Sequence, residues 1–155
     1  MKTLAFTLIL PALMLLSCRS PDNRSTARQE SAVESESPRD GIFIHLSKGP
    51  EDPHRVLMAF KMAEVMSDDK DVIMYLDIEA VHLIVKDAPD VSMEGFPSSQ
   101  EQIKKLTAAG VIIQACPTCL SVAGFSENDL MEGVVLANKE KFFNFTQGKI
   151  LSIDY

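Results

Sequence analysis

The chain has 155 residues, 15 basic and 22 acidic, for a net charge of −7 with histidines neutral. That length suits one ordinary domain rather than two, and a hydrophobic share of 46% excludes wholesale disorder. The acidic balance speaks against nucleic acid as a partner, because such partners select a basic patch or stripe. Three cysteines are too few for a disulfide scaffold, and the odd number gives them different jobs.

Met1 and Lys2 form a short basic start, and an apolar run follows from Leu4 to Leu16. About thirteen residues suit a signal-peptide core, whereas a spanning helix needs roughly twenty. The run ends Leu15-Leu16-Ser17-Cys18. This resembles the bacterial lipobox, in which a small residue admits the peptidase and the following cysteine accepts the lipid. The resemblance implies a signal peptide over 1–17 and a diacylglycerol thioether on Cys18. It also implies a chain held in the bacterial cell membrane, facing the periplasm or the outside, because each buried methylene adds about 0.8 kcal/mol.

Residues 18–40 read as a lipidated, disordered tether. From Arg19 to Asp40 the only apolar residues are Ala27, Ala32 and Val33, too few to offset chain entropy. As a random coil this stretch would span on the order of 25 Å. The folded unit is expected over 41–155 and carries ten basic and seventeen acidic residues. That surface would not be drawn to anionic lipid heads.

Within it, Gly41 to Leu46 predicts a short strand, and Ser47-Lys48-Gly49-Pro50 a loop. Asp52-Pro53 supplies an N-cap and a proline at the first helical position. The helix that follows to Met66 carries apolar residues on most sides, so it should be covered on most sides. Asp71 to Asp77 is a continuous apolar strand, the pattern of a sheet covered on both faces. Ile78 to Val85 reads as helix and Lys86 to Pro97 as irregular loop. Ser98-Ser99-Gln100-Glu101 has the form of a capping box opening a helix that stops at Gly110. Val111 to Ala115 is a second buried strand. A helical turn then runs to Ala123, a short strand lies around Val134 to Leu136, a helix over Lys139 to Thr146, and a strand over Lys149 to Ile153. This alternation predicts an α/β fold, a three-layer α/β/α sandwich around a parallel sheet. His45, Asp77 and Cys116 all fall at strand C-terminal ends, where such folds collect functional groups.

Cys116-Pro117-Thr118-Cys119 carries the chemistry. A thiol at the junction of a strand and a helix N-terminus meets free amides and a favourable dipole, which lower its pKa. Such a thiolate is a nucleophile able to hold a persulfide, a sulfenate or a mixed disulfide. Cys119 lies one helical turn on, close enough to resolve an intermediate on Cys116. His45 and Lys48 are candidates for stabilising the thiolate. His54 and His82 read as packing or surface residues.

The segment Val111 to Cys116 with Leu120 and Gly124-Phe125, followed by Asp129-Leu130-Met131-Glu132-Gly133-Val134, is similar to the sulfur-carrier region of DsrE/DsrF-like proteins. The opening strand and Lys48 to Pro53 match the layout of that family too. The resemblance implies a mostly parallel five-stranded sheet, a persulfide-carrying cysteine at Cys116, association into trimers or hexamers, and a sulfur donor or acceptor protein as partner. It also makes the methionine-rich first helix a subunit contact. Because Cys119 could expel sulfur and close a disulfide, a dithiol/disulfide cycle stands beside sulfur carriage. Alternatives are a non-catalytic oligomeric binding module with structural cysteines, or a copper(I) site in which Met131 or Met93 joins the thiolates. Zinc would need two further ligands. A thioredoxin-like fold would need a cis-proline some forty residues after the cysteines, and no proline follows Pro117. No glycine-rich phosphate loop or other cofactor motif stands out.

Overall fold

The computed structural model describes residues 37–155. The signal segment 1–17, the lipid-accepting Cys18 and most of the tether lie outside the described residues. Among those described, no helix is long and apolar enough to cross a membrane.

The elements are β1 (Gly41–Leu46), α1 (Pro53–Met66), β2 (Asp71–Leu76), α2 (Ser99–Ala108), β3 (Ile112–Ala115), α3 (Pro117–Val122), β4 (Val134–Leu136), α4 (Lys139–Asn144) and β5 (Ile150–Asp154). Two 3₁₀ segments, Ile78–Leu83 and Glu127–Asp129, complete them. The strands form one sheet in the order β4-β3-β2-β1-β5, and every neighbouring pair is parallel. The architecture is the expected five-stranded α/β fold.

Connectivity decides which face each helix covers. From β1 to β4 the chain steps across the sheet in one direction, so right-handed crossovers place α1, α2 and α3 on one face. The return from β4 to β5, beyond β1, reverses direction and sends α4 to the other face. The contacts agree. α1 packs on α2, whereas Phe142 of α4 lies against Phe43 and Tyr75, with ring centroids 5.8 and 5.2 Å apart.

Alternation along the strands divides their side chains between these layers. Ile42, Ile44 and Leu46 of β1, Val72, Met74 and Leu76 of β2, and Ile113 and Ala115 of β3 build the core with Leu57, Phe60, Ile103 and Leu106. Each fully buried side chain of this size contributes roughly 1.5–3 kcal/mol. The opposite register positions His45, Tyr75 and Gln114 sit side by side across three strands. That row leads to the site.

Caps and turns follow the sequence closely. The Asp52 carboxylate accepts from the Arg55 amide at the start of α1, and Ser98 Oγ accepts from the Glu101 amide at the start of α2. Gly110, at φ +83°, ends the α2 region in a conformation that favours glycine. Three expectations are adjusted. The helix expected over Ile78 to Val85 is a 3₁₀ segment ending at Leu83, because extended Asp77 and left-handed Ile78 start it as a tight turn. The helix expected to reach Thr146 ends at Asn144, since the Thr146 hydroxyl donates instead to the Arg39 carbonyl at 2.6 Å. In α1, Val56, Leu57, Ala59, Phe60 and Ala63 are buried, while Val65 is about half exposed.

Candidate functional site

The C-terminal rim of the sheet brings together residues from three strands. Cys116 follows β3 directly, and its amide donates to the Leu76 carbonyl at 2.9 Å, continuing the ladder to β2. The same residue is the N-cap of α3, with Pro117 first in the helix. Its carbonyl accepts the first helical bond, from the Leu120 amide at 2.9 Å. Its Sγ accepts from the Cys119 amide at 3.5 Å, so a sulfur fills the capping position that an oxygen usually takes. Both thiols are free and partly exposed.

Two opposed effects set the acidity of Cys116. Burial pushes its thiol up, but the Tyr75 hydroxyl and the amides of Cys119 and Thr118 donate to the sulfur and hold it below the ordinary thiol range. Tyr75 shows the counterpart: burial and its bond to Cys116 keep the phenol protonated well beyond its usual range. Tyr75 is therefore a donor at every physiological pH.

Cys119 behaves differently. The Ile78 backbone beside it favours the thiolate, but burial, Cys116 and the negative charge of Cys116 and Asp77 prevail and push its pKa up. The two thiols are thus shifted in opposite directions, Cys116 toward the thiolate and Cys119 away from it. Ile78, Glu79, His82, Thr118, Cys119 and Val122 border a cleft of about 350 Å³ beside α3.

The histidine expected near the thiolate stands two strands away, on the far side of β2. His45 Nε2 lies 3.0 Å from Asp77 Oδ1 and Nδ1 lies 3.0 Å from Asp154 Oδ1. A neutral ring has a single N–H, so serving both carboxylates requires the imidazolium. Burial works against that cation, yet the two carboxylates together raise its pKa. The ring also packs on Tyr75, centroids 5.8 Å apart, so His45 borders the thiol cluster through Tyr75 and Asp77. Lys48 sits half-buried in the β1–α1 loop, with no hydrogen bond or ion pair to either cysteine. His54 packs edge-on against Phe96, and His82 against Phe125.

Two members of the cluster escape sequence reasoning. Tyr75 hides in an apolar run, although its place two residues before Asp77 puts it on the rim in the row of His45. Gln114 is completely buried beside it, with neither polar atom of its amide hydrogen-bonded. Among the described residues, no group of three or more His, Cys, Asp or Glu side chains converges as a metal site. Met131, a copper ligand candidate, lines a different cleft with Ile103 and Thr107, and Met93 packs on the core.

Solved structures share this architecture. The ychN protein from E. coli is 21% identical with a TM-score of 0.52, covering 76% of this chain and 100% of that one. MTH1491 from Methanobacterium thermoautotrophicum, a protein of unknown function, is 18% identical with a TM-score of 0.52, covering 74% and 99% respectively. At those identities the likeness speaks for the fold alone. No curated protein matches the chain. The model of the DsrE/DsrF-like family, however, matches residues 40–148, a stretch holding the whole sheet but β5 and every thiol-cluster residue except Asp154, and on that match the chain belongs to the DsrE/DsrF-like family.

Proposed function

We propose that this DsrE-like domain performs sulfur or thiol-redox chemistry on Cys116, with Cys119 as the resolving partner, while acylated Cys18 tethers it to a bacterial membrane. One observation carries the reading: a partly exposed Cys116 sulfur at the junction of β3 and α3 accepts from the Cys119 amide at 3.5 Å, and Tyr75 with the neighbouring amides holds its pKa below the ordinary thiol range. A sulfur so surrounded is a nucleophile at neutral pH. It attacks a sulfur donor or a disulfide and holds the product as a persulfide or mixed disulfide. A neighbouring thiol one turn away then either waits, which makes the domain a carrier, or displaces the cargo, which makes it a redox catalyst. The exchange partner is a sulfur- or thiol-bearing protein, and the domain works as a trimer or hexamer.

Alkylation by iodoacetamide across pH tests the chemistry. Cys116 should react with a midpoint below that of the unfolded chain, and an unshifted midpoint would refute the reading. Mass spectrometry of protein taken from its membrane then reads whether Cys116 carries sulfur or a bond to Cys119. Undiminished activity after replacing both cysteines by serine would favour a non-catalytic binding module. For the anchor, metabolic labelling with palmitate should mark the chain, and Cys18→Ser should abolish both label and membrane retention.

A further inference from the structure

Beside α3 the cleft of about 350 Å³ opens between two elements. One wall is the face of α3 where Thr118 and Cys119 stand four and three residues before Val122. The other is the first 3₁₀ segment, with Ile78, Glu79 and His82. The lips are apolar: Val122 is 84% exposed and Ile78 59%. Neither belongs to the core, to which α3 gives Leu120.

Ile78 is an unfavourable residue for its place. Among the described residues it is the one non-glycine at positive φ, +48°, where a β-branched side chain is strained by roughly 1–3 kcal/mol. Burial does not offset that strain, because most of the side chain meets solvent. Asparagine or glycine would hold the same turn with less strain. An apolar side chain displayed there, beside a thiol, points to a contact outside the fold.

The backbone beneath it is braced. The Asp77 amide donates to the Leu46 carbonyl at 3.2 Å, and the Ala80 amide to the Asp77 carbonyl at 2.8 Å. Gly49 backs this wall so closely that a Cβ there would stand 2.5 Å from the Glu79 carbonyl oxygen. A group entering the cleft therefore meets a preset surface.

Charge narrows the choice of occupant. Glu79 is exposed, and its Oε2 stands 3.9 Å from His82 Nε2. Among the described residues no lysine or arginine lines the cleft, and the domain around it has seventeen acidic against ten basic residues. An anionic group would find no fixed counter-charge here. The volume lies at the low end for ligand sites, enough for one or two side chains.

We propose that this cleft is the specificity pocket of the thiol site and takes an apolar segment, free of acidic residues, that flanks the reactive sulfur of the exchange partner. This rests on the thiol chemistry proposed above and adds which polypeptides that chemistry serves. Cys119 joins the two parts of the site, because it lines the cleft and its amide donates to Cys116 Sγ at 3.5 Å. A segment seated between Ile78 and Val122 brings its sulfur to the rim where Cys116 stands. It also covers two apolar side chains that the free domain leaves in water.

Three blocked tripeptides serve as probes, each a cysteine between two leucines, two glycines or two aspartates, its sulfur joined to 2-thiopyridine. They are mixed with the full chain in detergent, carrying Cys18→Ser so that only the domain thiols react. The Cys116 thiolate attacks the peptide sulfur and a Cys116–peptide disulfide forms. The peptide–pyridyl S–S bond breaks, and the pyridine thiolate leaves with its electron pair, takes a proton from water and is read as thiopyridone. Each rate is divided by that of the same probe with the denatured chain. The leucine probe should then be about tenfold faster than the glycine probe, the worth of one or two buried methylene groups, and the aspartate probe slowest. Ile78→Asn and Val122→Ser should each lower the leucine-to-glycine ratio severalfold. Ile78→Asn should also raise the urea midpoint by relieving strain, which separates lost preference from lost folding. A leucine-to-glycine ratio near one, or a ratio unmoved by both substitutions, overturns the inference and leaves the proposed function standing. Release from every probe no faster than with denatured protein overturns both.

Discussion

Two corners of the same sheet rim handle charge in opposite ways. At the end of β1, a histidine whose pKa is raised stands between two carboxylates, Asp77 and Asp154, so any charge it takes up is matched locally. At the end of β3, the Cys116 sulfur is served by neutral donors, the Tyr75 hydroxyl and the free amides of α3. The difference teaches that this domain lowers the pKa of Cys116 without lending it a counter-ion. The shift comes from hydrogen-bond donors and the start of a helix, where other reactive cysteines use an adjacent cation.

The most drastic way to break the comparison is to delete the β3 corner. Cys116→Ser should abolish adduct formation altogether, while Cys119→Ser should leave a trapped adduct on Cys116, both read by intact-protein mass spectrometry. Next comes Tyr75→Phe. Losing one donor to a charged sulfur should slow alkylation of Cys116 at neutral pH about tenfold, and the pH midpoint should move upward; an unmoved midpoint would place the whole effect in the α3 amides.

The β1 corner is sharpened by pH. His45 has a folded pKa raised above its ordinary value of 6.5. Its contribution to stability is therefore fully present below 6.5 and fades as pH climbs through the higher folded value. Urea midpoints should fall across that window in the parent protein, and His45→Gln should flatten that part of the profile. The same variant should alter Cys116 alkylation less than Tyr75→Phe does. The smallest effect belongs to Gln114, whose amide has no partner in the fold. Gln114→Met should raise the free energy of unfolding by about 1 kcal/mol, because an unpaired buried amide is destabilising. A loss of stability instead would show that the amide is hydrogen-bonded.

The sheet is legible in the sequence because β2 is a near-continuous apolar run and β3 is apolar but for Gln114, and because Pro53, Ser98 and Gly110 mark helix ends through local chemistry. Cys116 is legible for the same reason: its setting, a strand before and Pro117 after, is entirely local. The partners of that sulfur are less so. Tyr75 reaches Cys116 only because β2 and β3 are neighbours in register, with Tyr75 opposite Gln114. His45 meets Asp154 across 109 positions of sequence, a contact created by the single reversed crossover. The left-handed turn at Ile78 has no signature, since an isoleucine is among the last residues expected there. Chemistry carried by neighbours along the chain was readable; chemistry assembled by strand order was not.

The pairing of β1 with β5 has a consequence for how the chain folds. β1 comes early in the domain, yet the strand that covers its outer edge is among the most distant elements in sequence. Until residues 150–154 dock, that edge offers a row of unpaired amides and carbonyls to any passing strand. Completion of the sheet waits on a long loop closure, and the enclosure of His45 is formed in the same event. A chain truncated before Ile150 would display both cysteines while lacking the strand that covers the β1 edge.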